Sequence, residues 1–291
     1  MAYLGQIQGN CQQDVPYTGI GDCNVKEGKT IALLITGYNA LYPIDKATFI
    51  SSLNGYVSQE GNLRMYPVNS VIANTINGGD INAPEAGFSG PQPTNLNVMN
   101  VIYQVDAGNC FYKEIAKLNK RKVRVFRVDD QGYIFGTVIV KGDEQFFAGY
   151  EATTYAYITP TDGTTLTAIN LAVYYSANRE KELKNMHAFE IQEVPTGLLG
   201  VLLQKGATTG TAKVVGACDG EDYTSMYGED WDETMFVNAS GANPTTVAYS
   251  SSTGLLTFTP ASASYKVASA SLLAAGDILG IEGVNQLTDL T

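Results

Sequence analysis

Carboxylates are the residues whose types and spacing come closest to chemistry in this chain of 291 residues. Asp219, Glu221, Asp222, Glu229, Asp230, Asp232 and Glu233 crowd one segment, and clustered carboxylates can bind calcium. Their spacing does not follow the D-x-[DN]-x-[DN]-G order of a calcium loop, so a solvated acidic face is the stronger reading and no metal site is assigned. Two carboxylates flanking one sugar would serve glycoside hydrolysis, but spacing alone sets no pair here at the required separation. A Ser-His-Asp triad would have to use His187, the only histidine, and no Gly-x-Ser-x-Gly turn is present. Gly78-Gly79 could cradle a phosphate, yet no Gly-Lys-Ser/Thr follows. No catalytic residue, cofactor or metal ligand is therefore assigned, and an enzyme is not expected.

The basic residues gather in one run, Lys113, Lys117, Lys120, Arg121, Lys122, Arg124 and Arg127. In a chain of net charge −11, salt bridges to another subunit's acidic face are the expected use. From Pro195 onward 3 basic residues meet 10 acidic ones, a net of −7, against −4 before it. Such a protein offers nucleic acid no general basic surface and would let DNA pass without adhering. The 18 tyrosines suit sugar stacking or subunit contacts equally, each having an apolar body and a polar tip. Cys11, Cys23, Cys110 and Cys218 fit no zinc spacing, and reduced structural thiols are expected, with a Cys11–Cys23 bridge as the weaker alternative. The start of the chain does not read as a secretory signal and no apolar run reaches membrane-spanning length, so membrane insertion is not expected.

The elements that would position these residues are mostly strands. Only 16% of residues are charged, which favours strands, tight turns and broad polar contact surfaces over long solvated helices. The stretch Asn97 to Val140 organises the rest. It reads as a strand (Asn97–Val105), a helix (Asn109–Arg121, Asn109 its N-cap, Ile115 and Leu118 facing a core), and two strands (Lys122–Val128 and Tyr133–Val140) joined by a turn at Asp129–Gly132. Alternation in Lys122–Val128 predicts one charged and one apolar face. Earlier come an irregular arm (1–30), a buried strand (Thr30–Thr36), a helix capped by Asp45 with Phe49, Ile50, Leu53 and Val57 on one side, and a strand over Met65–Ala73.

A long loop over 77–93 follows, with Gly78, Gly79, Asp80, Pro84, Phe88 and Pro91 as the residues expected to meet another copy of the chain. Glu151–Ile158 and Thr165–Ser176 form a hairpin about Pro160–Gly163. Asn178–Met186 is briefly helical. Composition changes at Val194–Gly197. Strands over Leu198–Gln204, Ala212–Gly216, Met235–Asn238, Thr245–Ser250, Leu255–Thr259, Tyr265–Ser269 and Asp277–Ile281 then predict an immunoglobulin-like sandwich over 195–291, although Trp231 falls in the acidic segment and the disulfide hallmark is missing. The fold class expected is mainly β. A β-sandwich or barrel with one or two short helices over 31–194, the polymerising domain, is followed by that C-terminal sandwich.

This order of elements resembles the tail tube proteins of long-tailed bacteriophages, a small β-sandwich or barrel with one helix, a long loop reaching the neighbouring subunit and, in some, an appended immunoglobulin-like domain. Asn97–Val105, Asn109–Arg121, Lys122–Val128 and Tyr133–Val140 supply the strand, helix and hairpin, and Asn77–Pro93 the loop. The resemblance implies a homo-oligomer of stacked rings within a virion, assembled in the host cytoplasm. Other virion proteins would be its partners, and DNA only transported cargo. The C-terminal module would decorate the outside, with weak host-surface glycan contact. A phage capsid, head-decoration or tail-tip protein is the nearest alternative, though no long spine helix is evident for a capsid shell. A glycan-binding surface module is the alternative from another class.

Overall fold

The computed structural model describes residues 27–84, 94–160 and 168–291. The chain divides into two compact units, Met1–Tyr56 with Gly61–Pro195, and Val57–Glu60 with Thr196–Thr291. Both are built mainly of antiparallel strands with few, short helices, as the composition predicts.

The first unit runs β1 (Thr30–Gly37), β2 (Tyr42–Pro43), α1 (Lys46–Ser51), α2 (Leu53–Ser58), β3 (Met65–Val68), β4 (Val71–Asn77), β5 (Ile81–Asn82), β6 (Asn95–Leu96), β7 (Asn100–Val105) and α3 (Asn109–Ile115). It continues with β8 (Lys122–Asp129), β9 (Tyr133–Lys141), β10 (Glu144–Ala148), β11 (Tyr150–Thr159), β12 (Ala168–Tyr175), α4 (Arg179–Lys184) and β13 (Met186–Glu190). The main sheet has the order β2-β10-β9-β8-β11-β12-β7-β4, with β1 and β3 branching from β8 and β13 from β9.

The hub is β8. Its whole length pairs with β1 on one edge, while the other edge is shared by β11 near its start and β9 near its end. Gly149, between β10 and β11, makes that sharing feasible, because a Cβ there would lie 2.7 Å from the Val125 backbone nitrogen. Both faces of β8 are also buried. Val123 and Val125 join the main core with Leu33, Ile35, Tyr103, Leu171 and Val173. Phe126 packs on the opposite side against Phe147, Tyr42 and Phe49, with ring centroids 5.0, 5.7 and 6.2 Å away. The expected charged face is therefore corrected. Arg124 and Arg127 sit three positions apart on opposite faces of a period-two strand, and each is 8% exposed.

Helix α1 starts where expected, the Asp45 carboxylate accepting from the Thr48 backbone N–H at 2.8 Å, which satisfies an otherwise orphaned donor. The predicted single helix breaks at Ser52, and its continuation α2 buries Leu53 and Val57. Asn109 is not the cap of α3. Gly108 holds that position without a side-chain bond, and the helix tightens into a 3₁₀ turn over Ala116–Leu118. The strand predicted over Met65–Ala73 is two strands, because Ser70 takes a left-handed φ of 60°. As a result β3 pairs with β1 while β4 pairs with β7. The turn Pro160–Gly163 lies outside the described residues beyond Pro160, as does the arm before Glu27.

The second unit holds β14 (Leu199–Lys205), β15 (Thr211–Gly216), α5 (Tyr223–Tyr227), β16 (Phe236–Val237), β17 (Thr246–Ser250), β18 (Leu255–Thr259), β19 (Ser264–Val267), α6 (Ala270–Ala275), β20 (Ile281–Gly283) and β21 (Thr288–Asp289). One sheet has the order β17-β18-β15-β14-β20 and the other β16-β19-β21. With β14 to β19 lettered A to F and β21 lettered G, these are the A-B-E-D and C-F-G sheets of a constant-type immunoglobulin sandwich, with β20 added in parallel on A. Val201, Leu203, Val214, Leu256 and Phe258 meet Phe236, Tyr265 and Val267 in the core. Trp231, 3% exposed, packs its indole on Tyr227 and Phe236. The strand predicted at Asp277–Ile281 starts only at Ile281, since Asp277 and Gly280 both have positive φ.

Cys110 and Cys218 each take part in a disulfide bond, which corrects the reading of them as reduced thiols. Which cysteines lie within bridging reach is a matter of spatial, not sequence, separation. The Cys11–Cys23 bridge falls outside the described residues.

Candidate functional site

Of the segment read as a structureless loop, residues 77–84 are described, and they form one side of the stem of a hairpin. The β4–β7 ladder runs from Val71 opposite Val105 to Asn77 opposite Asn100, and a second ladder, β5–β6, pairs Ile81 with Leu96 and Asn82 with Asn95. Gly78 and Gly79 join the two with φ of 74° and 82°. A Cβ on Gly78 would lie 2.2 Å from the Val98 carbonyl oxygen, so the crossing strands require glycine there. Backbone bonds from Asn97 N–H to Asp80 O and from Thr94 N–H to Asn82 O, both 2.8 Å, hold the stem. Gly78, Asp80 and Pro84 are exposed and Gly79 is half-buried. Phe88 and Pro91 lie outside the described residues.

Among the described residues β4 pairs only with β7, so its outer edge of N–H and C=O groups is unpaired. Every residue from Ile72 to Asn77 is exposed. Four large apolar side chains of the stem are exposed too, Ile72 by 51%, Ile76 by 60%, Ile81 by 65% and Val98 by 59%. Ile76 lies opposite the buried Val101, so an apolar strip leaves the core and continues into solvent. No charged residue occurs between Val71 and Asp80. Monomeric proteins protect such edges with lysine, proline or bulges. Here neither lysine nor proline is present, and the single bulge is at the start, Val71/Ala73.

The sheet face next to this edge and turned away from the core is polar, with its charged residues, Glu151 of β11 and Lys122 of β8 opposite Thr153, at the end far from β4. It carries Thr153 and Tyr155 of β11, Asn170 and Tyr174 of β12, and Asn100 and Gln104 of β7. Tyr174 stands opposite Thr153 and Tyr155 opposite Ala172, which makes the two exposed tyrosines diagonal neighbours, about 7–8 Å apart between Cα atoms on such a lattice.

Paired carboxylates do meet in one place. A cleft of about 350 Å³ is lined by Arg124, Glu151, Asn178, Lys181, Glu182 and Asn185 among others. Its carboxylates are occupied by the protein itself. Glu182 accepts from the Glu151 backbone N–H at 3.0 Å and from Arg124 at 3.4 Å. Glu151 accepts from Arg124 and from the Tyr38 hydroxyl, each at 3.1 Å. This is the geometry of a structural ion network rather than of an acid and a base flanking a substrate.

Burial holds the Glu182 carboxyl above its ordinary 4.5, with the Glu151 N–H and Arg124 pulling the other way. The folded protein therefore binds this proton more tightly than the unfolded chain. The stability it contributes is full below pH 4.5 and is lost as pH rises through the folded-state value. A Glu182→Gln variant is expected to show a flatter decline in melting temperature from pH 4.5 to neutrality than the wild type, a difference calorimetry across that range would register.

The remaining sequence candidates have structural roles. Arg124 and Arg127 pair within the chain, Arg127 with Glu27 at 2.7 Å, which corrects their assignment to another subunit's acidic face. Buried arginines need a partner before any second chain arrives. Asp222 caps α5 and pairs with Lys213 at 2.7 Å, and Asp232 accepts from Thr234 N–H. Among the described residues no group of three or more histidine, cysteine or acidic side chains converges on a metal-sized site. His187 lies on β13, edge-on to Phe147 and Phe189 at 5.7 and 4.7 Å. No described helix is long and apolar enough to cross a membrane.

Comparison with known proteins returns no matching family model, no similar curated protein and no similar solved structure.

Proposed function

We propose that the chain is a self-assembling structural protein of a virion. Its copies pair through the β4 edge and its hairpin to close rings that stack into a phage tail tube. The observation that carries this reading is the exposed β4 edge from Ile72 to Asn77, which holds no charged residue and carries Ile72 and Ile76, with the exposed Ile81 beyond it. A strand edge of this kind is satisfied by another strand, and a head-to-tail contact that closes gives a ring with no edge left over. The tyrosine- and asparagine-rich face beside it suits a broad polar contact between neighbours. With a net charge of −11, a lumen would repel DNA and leave it free to move. The immunoglobulin-like unit would then decorate the outside of the tube.

Deleting Gly78–Gln92 is expected to leave a folded protein that no longer polymerises, measured by sedimentation velocity alongside circular dichroism. Normal tubes from that deletion would remove the hairpin from the account. A second reading, a glycan-binding surface module, draws on the diagonal pair Tyr155 and Tyr174, 42% and 47% exposed. Binding of the isolated monomer on a glycan array, lost in Tyr155→Ala, would favour it.

A further inference from the structure

The end of the first core holds a second polar cluster, unrelated to the hairpin. Tyr103, Tyr150 and Tyr175 are at most 2% exposed, and the Tyr103 and Tyr175 hydroxyls lie 3.2 Å apart. Two guanidinium groups flank the Tyr150 ring, Arg127 at 5.0 Å and Arg179 at 5.8 Å, and Arg179 also stacks on Tyr175 at 4.2 Å. One carboxylate answers them directly, Glu27 on Arg127. Asp129 lies close by, but its oxygens accept from the backbone N–H groups of Gly28, Gln131 and Tyr133.

Three buried polar atoms around this ring, Arg127 Nε, Arg179 Nη1 and the Tyr150 hydroxyl, make no well-formed hydrogen bond among the described residues, although the Arg127 guanidinium lies close enough to the Tyr150 hydroxyl to favour its ionised form. An unpaired buried donor is costly, and a guanidinium more so than a neutral group. Burial, and then the neighbouring Arg127 charge, lower the Arg179 pKa, whereas the burial of Arg127 is outweighed by Tyr175 and then Glu27, which raise its pKa, so the cation short of a counterion is Arg179.

We propose that Arg127, Arg179 and Tyr150 form a buried oxyanion site that takes a carboxylate or phosphate group. Planar guanidinium N–H groups and a phenolic O–H match the lone pairs of such an anion, and the anion would supply the missing partners for all three atoms. The site is independent of the assembly reading, since none of its residues belongs to the β4 edge.

The test is calorimetry of the full chain titrated with phosphate or with acetate, ionic strength held constant with chloride. The melting temperature is expected to climb with the logarithm of phosphate or acetate concentration, as linkage requires of a ligand bound only by the fold. Whichever anion produces the climb identifies the group. Arg179→Met is expected to abolish the climb, and Tyr150→Phe to reduce it while melting no lower than the wild type in chloride alone. No climb in the wild type, or an equal climb in the wild type and Tyr150→Phe, would overturn the assignment and point to a general salt effect.

Discussion

A chain carrying Ile72→Lys and Ile76→Lys is expected to fold normally and to lose self-association. Both side chains are more than half exposed, at 51% and 60%, so the folded unit has little to lose, within about 0.5 kcal/mol for ordinary surface positions. In the assembled state a neighbour would cover the half of each isoleucine still exposed, which contributes about 1–1.5 kcal/mol apiece. Removing both weakens every contact by roughly 2–3 kcal/mol, or about 30–150-fold in association constant. The added lysines also place like charges on an edge that now has none. Sedimentation velocity would show the change. Particles of unaltered size would mean that copies meet elsewhere.

The second large effect concerns stability. Arg124→Met is expected to cost about 3–5 kcal/mol, because it leaves Glu182 and Glu151 buried side by side without their cation. For a chain of this size class that corresponds to a fall of roughly 6–20 °C in melting temperature. The guanidinium also donates to the carbonyls of Tyr38 and Gly149, each at 2.9 Å. Arg124→Lys is therefore not a conservative change, since an ammonium cannot span the same acceptors. Thermal unfolding followed by circular dichroism measures both variants, and a melting point equal to the wild type for Arg124→Met would show the network to be ornamental.

Local pattern revealed much of this fold. Runs such as Thr30–Thr36 and Leu255–Thr259 can only be short strands, and strands at such spacing in the second half lead to the two-sheet sandwich now seen. What stayed hidden depends on partners distant in sequence. Alternation in Lys122–Val128 reads as a strand with one wet face, but β8 is covered on both, and the rings that cover the second face, Tyr42, Phe49 and Phe147, are distant in sequence. The short strands Glu144–Ala148 and Met186–Glu190 have no clean alternation and exist because β9 pairs with both. Trp231 lies among carboxylates that cap turns around it, so the acidity of its neighbours concealed a core residue.

For the candidate site, the glycines and prolines of 77–93 marked an unusual segment and suggested contact with another copy. The signal for its real form was the pairing of Val71–Asn77 with Asn100–Val105, which single-sequence turn chemistry does not encode. The edge itself could have been noticed from composition, since the ten residues Val71–Asp80 contain one charge, at the end. Arg127 and Arg179 are 52 positions apart and converge only through Tyr150, beyond the reach of any spacing rule.

The central claim is that this protein assembles through an exposed sheet edge. Negative-stain electron microscopy of the purified full chain, with light scattering on the same sample, tests it most directly. The account predicts rings or tubes with a central hole. Monodisperse monomers at every concentration examined would contradict it.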